Sequence, residues 1–378
     1  MVLLATGSFA PGESNLMWPN VMRHSSTTAL ALPNMTPGAK YYPAVATDRM
    51  AILPGRYPGT YAFCGGNGAH GGRDSDGWVI MSMNNSTVPN GTFVVGWAYR
   101  ETVQASSSNI EANILLFTNA GGTNTGALSV NRTTRELIWS GGTYKPSGYT
   151  VPVDTWLYLE VKYKPHGSQG ILEVRINGQT VLSITGNTTD RSDTNLSRVQ
   201  LFAAQFKGDT VLMPRIQVSD IYVLDTTGTS NNDYLGDIRI DRITPMGNGS
   251  QSQFLGSDGN SVDNFALVAD IEASLTRYVE SNIPDARDLY QMTDLPNDLG
   301  NVVAVVPRGL ASKKDAVGFG RLSHVLKTPL GEIVTPPQSL NPGAFTPMYT
   351  IHTRTPDNAA WTIADINNME VGVQVRSG

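Results

Sequence analysis

The stretch VPVDTWLYLEVKYKPHGSQGILEVRINGQTVLSITG, residues 151–186, constrains this chain more than any other. From Trp156 onward Leu157, Leu159, Val161 and Tyr163 alternate with Tyr158, Glu160 and Lys162. After a gap holding Pro165 and Gly167, Leu172, Val174 and Ile176 alternate with Glu173 and Arg175. Asn177-Gly178 then turns the chain into Val181, Leu182 and Ile184. Successive side chains of a strand stand on opposite faces, so this pattern predicts a β-meander with one buried and one polar face. Asn-Gly supplies the two positive-φ residues that a type I′ hairpin turn needs.

Similar strands are spaced along the chain on both sides of the meander. TYAFC, WVIMSM, TFVVGWAYRE, NILLFTN, ALSVNR and ELIWSGG precede it, and VQLFAAQF and IQVSDIYVLD follow. With 38 Gly and 22 Pro to make turns, short strands at this spacing predict an all-β sandwich of jelly-roll type. TFVVGWAYRE is apolar on both alternations, at Phe93, Val94, Val95 and Trp97, as suits a central strand covered on both faces. Residues 1–58 are broken by Pro11, Pro19, Pro33, Pro37, Pro43, Pro54 and Pro58, and read as an N-terminal arm plus the strand leading into the first domain. The jelly roll is expected over 59–228, with the polar DTTGTSNNDYLGD marking a boundary near 226–236. A smaller, mainly-β domain is expected over 229–378, with one or two short helices. Its strands are read in DIRIDRITP, NVVAVVPRGLASK, MYTIHTRT and MEVGVQVRSG, and in a hairpin about Pro329-Leu330-Gly331; its helices are read within 265–281 and from Trp361 to Asp365.

A net charge of −5 with no basic block argues against nucleic-acid binding driven by phosphate neutralisation. No stretch approaches the ~20 apolar residues of a membrane span, so no membrane insertion is expected. MVLLATGSFAPGES lacks the cationic start and the apolar run of a signal peptide. The single cysteine, Cys64, excludes an intrachain disulfide. Asn-X-Ser/Thr sequons recur, as at Asn131, Asn187, Asn195 and Asn248, and without disulfides they read as Asn/Thr-rich turns of a protein folded in a reducing cytosol.

The order of features in 60–225, with the Trp156 strand, the ILEVRINGQTVLS hairpin and the closing IQVSDIYVLD strand, resembles the laminin-G/concanavalin A-like jelly roll. Three further patches are similar to bacteriophage virion proteins, of tail or adhesin type, that carry such a domain. They are SDIYVLDTTGTSNNDYLGDIRIDRITPMGNG, SLTRYVESNIPDARDLYQMTDLP and TPDNAAWTIADINNMEVGVQV. The resemblance implies a non-enzymatic virion protein made in the host cytoplasm, a homo-oligomer that docks onto other virion proteins; contact with host surface glycan is compatible with it but not required. A receptor-binding carbohydrate module is the alternative reading; a head decoration protein and a polysaccharide-degrading enzyme are weaker ones.

Glucanases of this fold set paired carboxylates on one strand face as Glu-x-Asp-x-(x)-Glu, which brings an acid and a nucleophile within ~5–6 Å. No such run occurs. Glu160 and Glu173 read as lone outward charges, and Asp237-Arg239-Asp241 as a solvent ion-pair ladder. The chain is therefore expected to act by assembly or recognition and not as an enzyme. The glycine-rich CGGNGAHGGRDSDGW, 64–78, is no phosphate loop, because no Gly-Lys-Ser/Thr follows. Asn67, His70, Asp74 and Asp76 are its candidate ligand residues, for a small ligand or Ca²⁺, although the terminal Glu of a calcium loop is missing. The simpler reading is a long loop whose glycines make turns, and Gly256–Asn260 carries the same ambiguity. No other cofactor is expected: His24, His70, His166, His324 and His352 lie too far apart for a zinc pattern, and Cys64 reads as core. Trp78, Trp97, Trp139 and Trp156 read as core by default. Trp139 and Tyr144 flank Gly141-Gly142, and Tyr149 follows, an aromatic-rich turn suited to stacking on a sugar ring.

Overall fold

A computed structural model of the chain describes residues 3–7, 22–24, 29–30, 50–58, 60–65, 77–82, 91–101, 111–119, 122–192, 194, 196–204, 216–226, 231–269, 276–295, 300–314, 320–343 and 346–377. Two compact units divide between Ile240 and Asp241.

The first unit contains β1 (Leu3–Gly7), β2 (Met22–His24), β3 (Ala29–Leu30), β4 (Met50–Pro54), β5 (Tyr61–Gly65), β6 (Gly77–Ser82), β7 (Phe93–Glu101) and β8 (Glu111–Asn119). It continues with β9 (Asn124–Asn131), β10 (Glu136–Ser140), β11 (Lys145–Thr150), β12 (Leu157–Lys164), β13 (Gly170–Ile176), β14 (Gln179–Gly186), β15 (Leu196–Ala204) and β16 (Ile216–Asp225). One sheet, here sheet A, runs β14-β13-β12-β7-β16-β5-β4, with β1 also pairing β16; the other, sheet B, runs β11-β10-β9-β8-β15-β6-β2-β3. The result is an all-β sandwich. The predicted meander is β12–β14, and its turn has φ of 49° at Asn177 and 79° at Gly178, as the Asn-Gly pair requires. β7 is central, between β12 and β16, and all of Phe93–Glu101 is buried except the half-buried Arg100. Within the arm expected over 1–58, β1 pairs with β16 and β2 with β6, so its described strands extend both sheets.

Between the sheets, Leu157, Leu159, Val161, Tyr163, Leu172, Val174 and Ile176 meet Phe117, Leu128, Val130, Leu137 and Trp139. Phe117 and Trp139 pack on Tyr163 with ring centroids 4.6 and 4.9 Å away. Gly126 makes room for this cluster: a Cβ there would stand 2.3 Å from Trp139 Cζ2. At one end of the core Glu101 Oε1 accepts from Arg132 Nη1 (2.6 Å) and Arg135 Nη1 (2.7 Å), and Tyr99 donates its hydroxyl to Oε2 (2.8 Å). All four side chains are buried.

The second unit contains β17 (Pro245–Ser252), β18 (Leu255–Gly256), α1 (Asn264–Val268), β19 (Val279–Glu280), β20 (Arg287–Met292), β21 (Arg308–Ala311), β22 (Arg321–Thr328), β23 (Gly331–Val334), β24 (Gln338–Ser339), β25 (Thr346–Tyr349), α2 (Ile363–Asn367) and β26 (Glu370–Arg376). Its main sheet runs β17-β20-β26-β22-β23, with β24 on β22. The hairpin expected about Pro329–Gly331 joins β22 and β23. Helix α2 starts at a capping box, Thr362 with Asp365, and sets Ile366 against Trp361, Leu326 and Met369. The helix expected over 265–281 spans five residues, 264–268. No strand forms in DIRIDRI: 237–244 is irregular, and β17 starts at Pro245. Of NVVAVVPRGLASK, Arg308–Ala311 is a strand.

Candidate functional site

The two outer faces of the sandwich are built from opposite rules. On sheet A the outward residues are Tyr158, Glu160 and Lys162 of β12, Glu173 and Arg175 of β13, and Gly96 of β7. Register places Glu160 opposite Gly96, and Gly96 opposite Tyr222 of β16. Tyr222 lies across Gly96, where a Cβ would stand 2.1 Å from Tyr222 Cε1, and donates its hydroxyl to Glu160 Oε1.

The connector 231–240 closes this face. Gly236 N–H donates to Glu160 Oε1 (2.8 Å) and Leu235 N–H to the Tyr222 hydroxyl (3.1 Å). Ile240 N–H donates to Asp220 Oδ1 (3.0 Å), and Arg56 holds both carboxylate oxygens of Asp237 at 2.5 Å. Arg175 stacks 3.7 Å from the centre of the Tyr234 ring, and Lys162 pairs with Asp233 at 2.6 Å. Burial, then Glu160, pushes the Tyr222 phenol far above its ordinary value. Burial opposes the charge on Asp233, yet the bonds from Lys162 and Tyr234 N–H hold its carboxyl below the usual range. Two expectations are corrected here. Glu160 is a buried acceptor, not a lone outward charge. Asp237-Arg239-Asp241 is no strand ladder: Asp237 pairs with Arg56, and Arg239 lies 4.5 Å over the Tyr57 ring.

On sheet B, alternation against the core turns Glu111, Asn113, Leu116 and Thr118 of β8 outward. Ala127 and Ser129 of β9, Glu136, Ile138 and Ser140 of β10, and Gln200 of β15 share that face. Leu116, Thr118, Ala127, Ser129 and Ile138 form a buried floor, while Asn113, Glu136, Ser140 and Gln200 are half-buried and Glu111 is exposed. Ser129 donates its hydroxyl to Asn113 Oδ1 (2.8 Å), and Glu136 Oε1 accepts from Gly148 N–H (2.8 Å). The Thr118 hydroxyl is buried without a hydrogen-bond partner among the described residues. Tyr144, just before β11 and 58% exposed, donates its hydroxyl to Glu111 Oε1 at 2.7 Å. Those residues are separated in the sheet by β9 and β10, about 14 Å at three strand spacings. Their two side chains therefore reach across the face, over the row Pro146, Ile138, Ser129 and Asn113. The bond to Glu111 raises the Tyr144 phenol above its ordinary value, and the nearby charge of Glu136 adds to it.

The aromatic turn is thus divided among three environments. Trp139 is fully buried, its indole N–H donating to Gly141 O at 3.0 Å, so the stacking role expected for it is corrected: no face of the ring meets solvent. Tyr149 packs against the core, and Tyr144 is the exposed member. Asn67, His70, Asp74 and Asp76 lie outside the described residues. Among the described residues, no three His, Cys, Asp or Glu side chains group as a metal site. Sequence reasoning missed Glu111, Asn113, Glu136 and Gln200. Their signal was a polar residue at some of the outward positions, interrupted by Leu116, Ala127 and Ile138.

No family model and no curated protein matches this chain. Among solved structures it is similar to the endo-β-1,4-glucuronan lyase of the fungus Trichoderma reesei, at 14% identity and a TM-score of 0.37, over 46% of this chain and 85% of that one. It is also similar to the PL-14 alginate lyase of Aplysia kurodai, at 10% identity and a TM-score of 0.41, over 59% of this chain and 99% of that one. A Trypanosoma rangeli sialidase matches at 15% identity and a TM-score of 0.30, with 43% of this chain against 27% of that one. At these values the likeness describes strand arrangement and gives no residue a role. The expectation that the chain is not an enzyme is corrected to this extent: the structures it is similar to include polysaccharide lyases.

Proposed function

We propose that the sandwich holds a polysaccharide along the outer face of sheet B, and that this recognition serves host-surface attachment by a bacteriophage particle of which the chain is a component. The observation that carries the first half is the exposed Tyr144–Glu111 bond, with the half-buried Asn113, Glu136 and Gln200 on the same face. Sugar rings offer hydroxyls at the rim and C–H groups on the faces. Amide and carboxylate groups suit the former, and an exposed phenol ring suits the latter. The second half is supported by the virion-like patches in 219–249, 274–296 and 355–375. Docking onto other virion proteins is supported by the exposed Leu255, Val262, Tyr278 and Ile283 of the second unit.

Affinity electrophoresis through gels containing bacterial surface polysaccharides tests the recognition. Retardation of the wild-type chain, lost in Tyr144→Ala with its thermal unfolding unchanged, is the expected result. Equal retardation of Tyr144→Ala would remove sheet B as the binding face. Immunogold labelling of purified particles tests the placement, and particles lacking the chain would sink it.

A further inference from the structure

Charge on the outer face of sheet B selects among polysaccharides, an inference that rests on the recognition role proposed above. Glu111, Asn131 and Glu136 occupy one row across β8, β9 and β10, and Tyr144 enters that row through its bond to Glu111. Both carboxylates act on the phenol, which places them within electrostatic reach of one hydroxyl. Cations of neighbouring sequence are engaged elsewhere. Arg132 and Arg135, in the turn before β10, reach the buried Glu101. Lys145, the first residue of β11, donates its Nζ to Ser183 O on β14 of the other sheet (2.7 Å). Arg191 donates Nε to Asn124 O at the opposite end of β9 (3.2 Å). Arg198 occupies the register position opposite Thr118, seven residues along β8 from Glu111, about 23 Å at strand rise.

The end of the face that the Tyr144 hydroxyl reaches therefore presents two carboxylates and, among the described side chains, no basic group turned to meet an anion. Such a row accepts hydrogen bonds from sugar hydroxyls, which are strengthened because the acceptor is charged. A uronate carboxylate or a sulfate set there would face like charges with no compensating cation. We infer that the glycan bound at Tyr144 is uncharged: a neutral hexose or pentose chain whose hydroxyls donate to Glu111 and Glu136, not a polyuronate. This differs in substrate charge from what the names of the matched glucuronan and alginate lyases say of those proteins.

Calorimetry with uncharged hexasaccharides (gluco-, xylo- and manno-configured) and with hexauronates of equal length tests the inference, at low and at moderate salt. At least one uncharged oligosaccharide should bind the intact chain, with an affinity that changes little with salt. Hexauronates should bind about tenfold or more weakly at low salt, and the gap should narrow as salt screens the carboxylates. Glu111→Gln should improve hexauronate binding and weaken that of the uncharged chain, because an amide neither repels the anion nor accepts as strongly. Glu136→Gln provides a second variant with the same expected direction. Tighter binding of a hexauronate by the wild type would overturn the charge preference and leave the glycan-binding face standing. Failure of every oligosaccharide to bind, with the fold intact, would instead remove the recognition role itself.

Discussion

Both outer faces of the sandwich carry polar groups, yet on one they are buried beneath the chain's own connector, while the other, buried along its floor, keeps Glu111 and Tyr144 in solvent. On sheet A, Glu160, Tyr222, Asp220 and Lys162 all bond to the connector 231–240 or to one another. A carboxylate as buried as Glu160 is tolerable because a hydroxyl and a backbone N–H both donate to it. On sheet B, Glu111 and Tyr144 also bond, but they remain exposed, and the half-buried Asn113, Glu136 and Gln200 line the same face. Polar composition alone thus does not distinguish a binding face from a seat for the chain's own connector. What separates them is exposure: Glu160 and Tyr222 are buried beneath the connector, whereas Glu111 and Tyr144 meet solvent.

Removing the centre of each face separates the two cases most sharply. Glu160→Ala strands the Tyr222 hydroxyl and the Gly236 N–H in a buried setting, and should cost about 3 kcal/mol of stability by urea unfolding, the sum of two charge-assisted bonds. Tyr144→Ala should change stability by less than about 0.5 kcal/mol, as expected for an exposed side chain. Similar losses from both variants would mean that the outer face of sheet B is structural too. Arg175→Ala comes next in size. It removes the guanidinium from the Tyr234 ring and should cost about 1 kcal/mol, with faster amide exchange in 231–240 as the local sign. Acid should act on the same seat. The Asp233 and Glu173 carboxyls are both held below their ordinary range, so their contributions are present above the ordinary carboxylate values and are lost as pH falls through the lowered ones. Exchange in 231–240 should rise there. Global unfolding would not isolate this effect. In the second unit, burial and then His352 depress buried His324 to about 4, so its contribution, complete above the ordinary histidine value, is also lost as pH falls through that point.

The strand framework was legible because alternation is local. Leu157 to Tyr163 and Leu172 to Ile176 show their buried side in sequence, and Asn177-Gly178 shows the turn. That Glu160 faces away from the core was equally legible. What covers it was not, since Gly236 and Leu235 lie more than seventy residues further on. The strand expected in DIRIDRI failed for the same reason. Its alternation is real, but the Ile240 N–H bonds to the Asp220 carboxylate, and the Gly236 N–H just before the segment to Glu160, instead of to a neighbouring strand. At the aromatic turn, Trp139 and Tyr144 are five residues apart with two glycines between them, and local sequence cannot say which side of the sheet each will take. Trp139 follows Leu137 on the core alternation, which was the signal available.

The smallest expected effect compares one tyrosine from each face. Tyr144 is raised by its bond to Glu111, which favours the neutral phenol, whereas Tyr222 is raised first by burial and then by Glu160. In an alkaline titration followed by phenolate absorbance, Tyr144 should ionise reversibly, later than an ordinary exposed tyrosine, while Tyr222 should ionise only as the sandwich unfolds. A folded-state value above the unfolded one means that the Tyr144 bond stabilises the fold below the ordinary tyrosine value and ceases to do so as pH rises through the raised one. The gain at an exposed position is small and weakens with salt. Glu111→Gln should return Tyr144 toward its ordinary value and leave Tyr222 unmoved, and Glu160→Gln should do the reverse. A saturating uncharged oligosaccharide should shift the titration of Tyr144 in the folded protein, because a sugar hydroxyl then competes for the Glu111 carboxylate, while Tyr222 moves only with the pH of unfolding. A Tyr144 titration left unmoved by a sugar that nonetheless raises the unfolding pH, and Tyr222 with it, would place the ligand away from Glu111 and undo the distinction between the two faces.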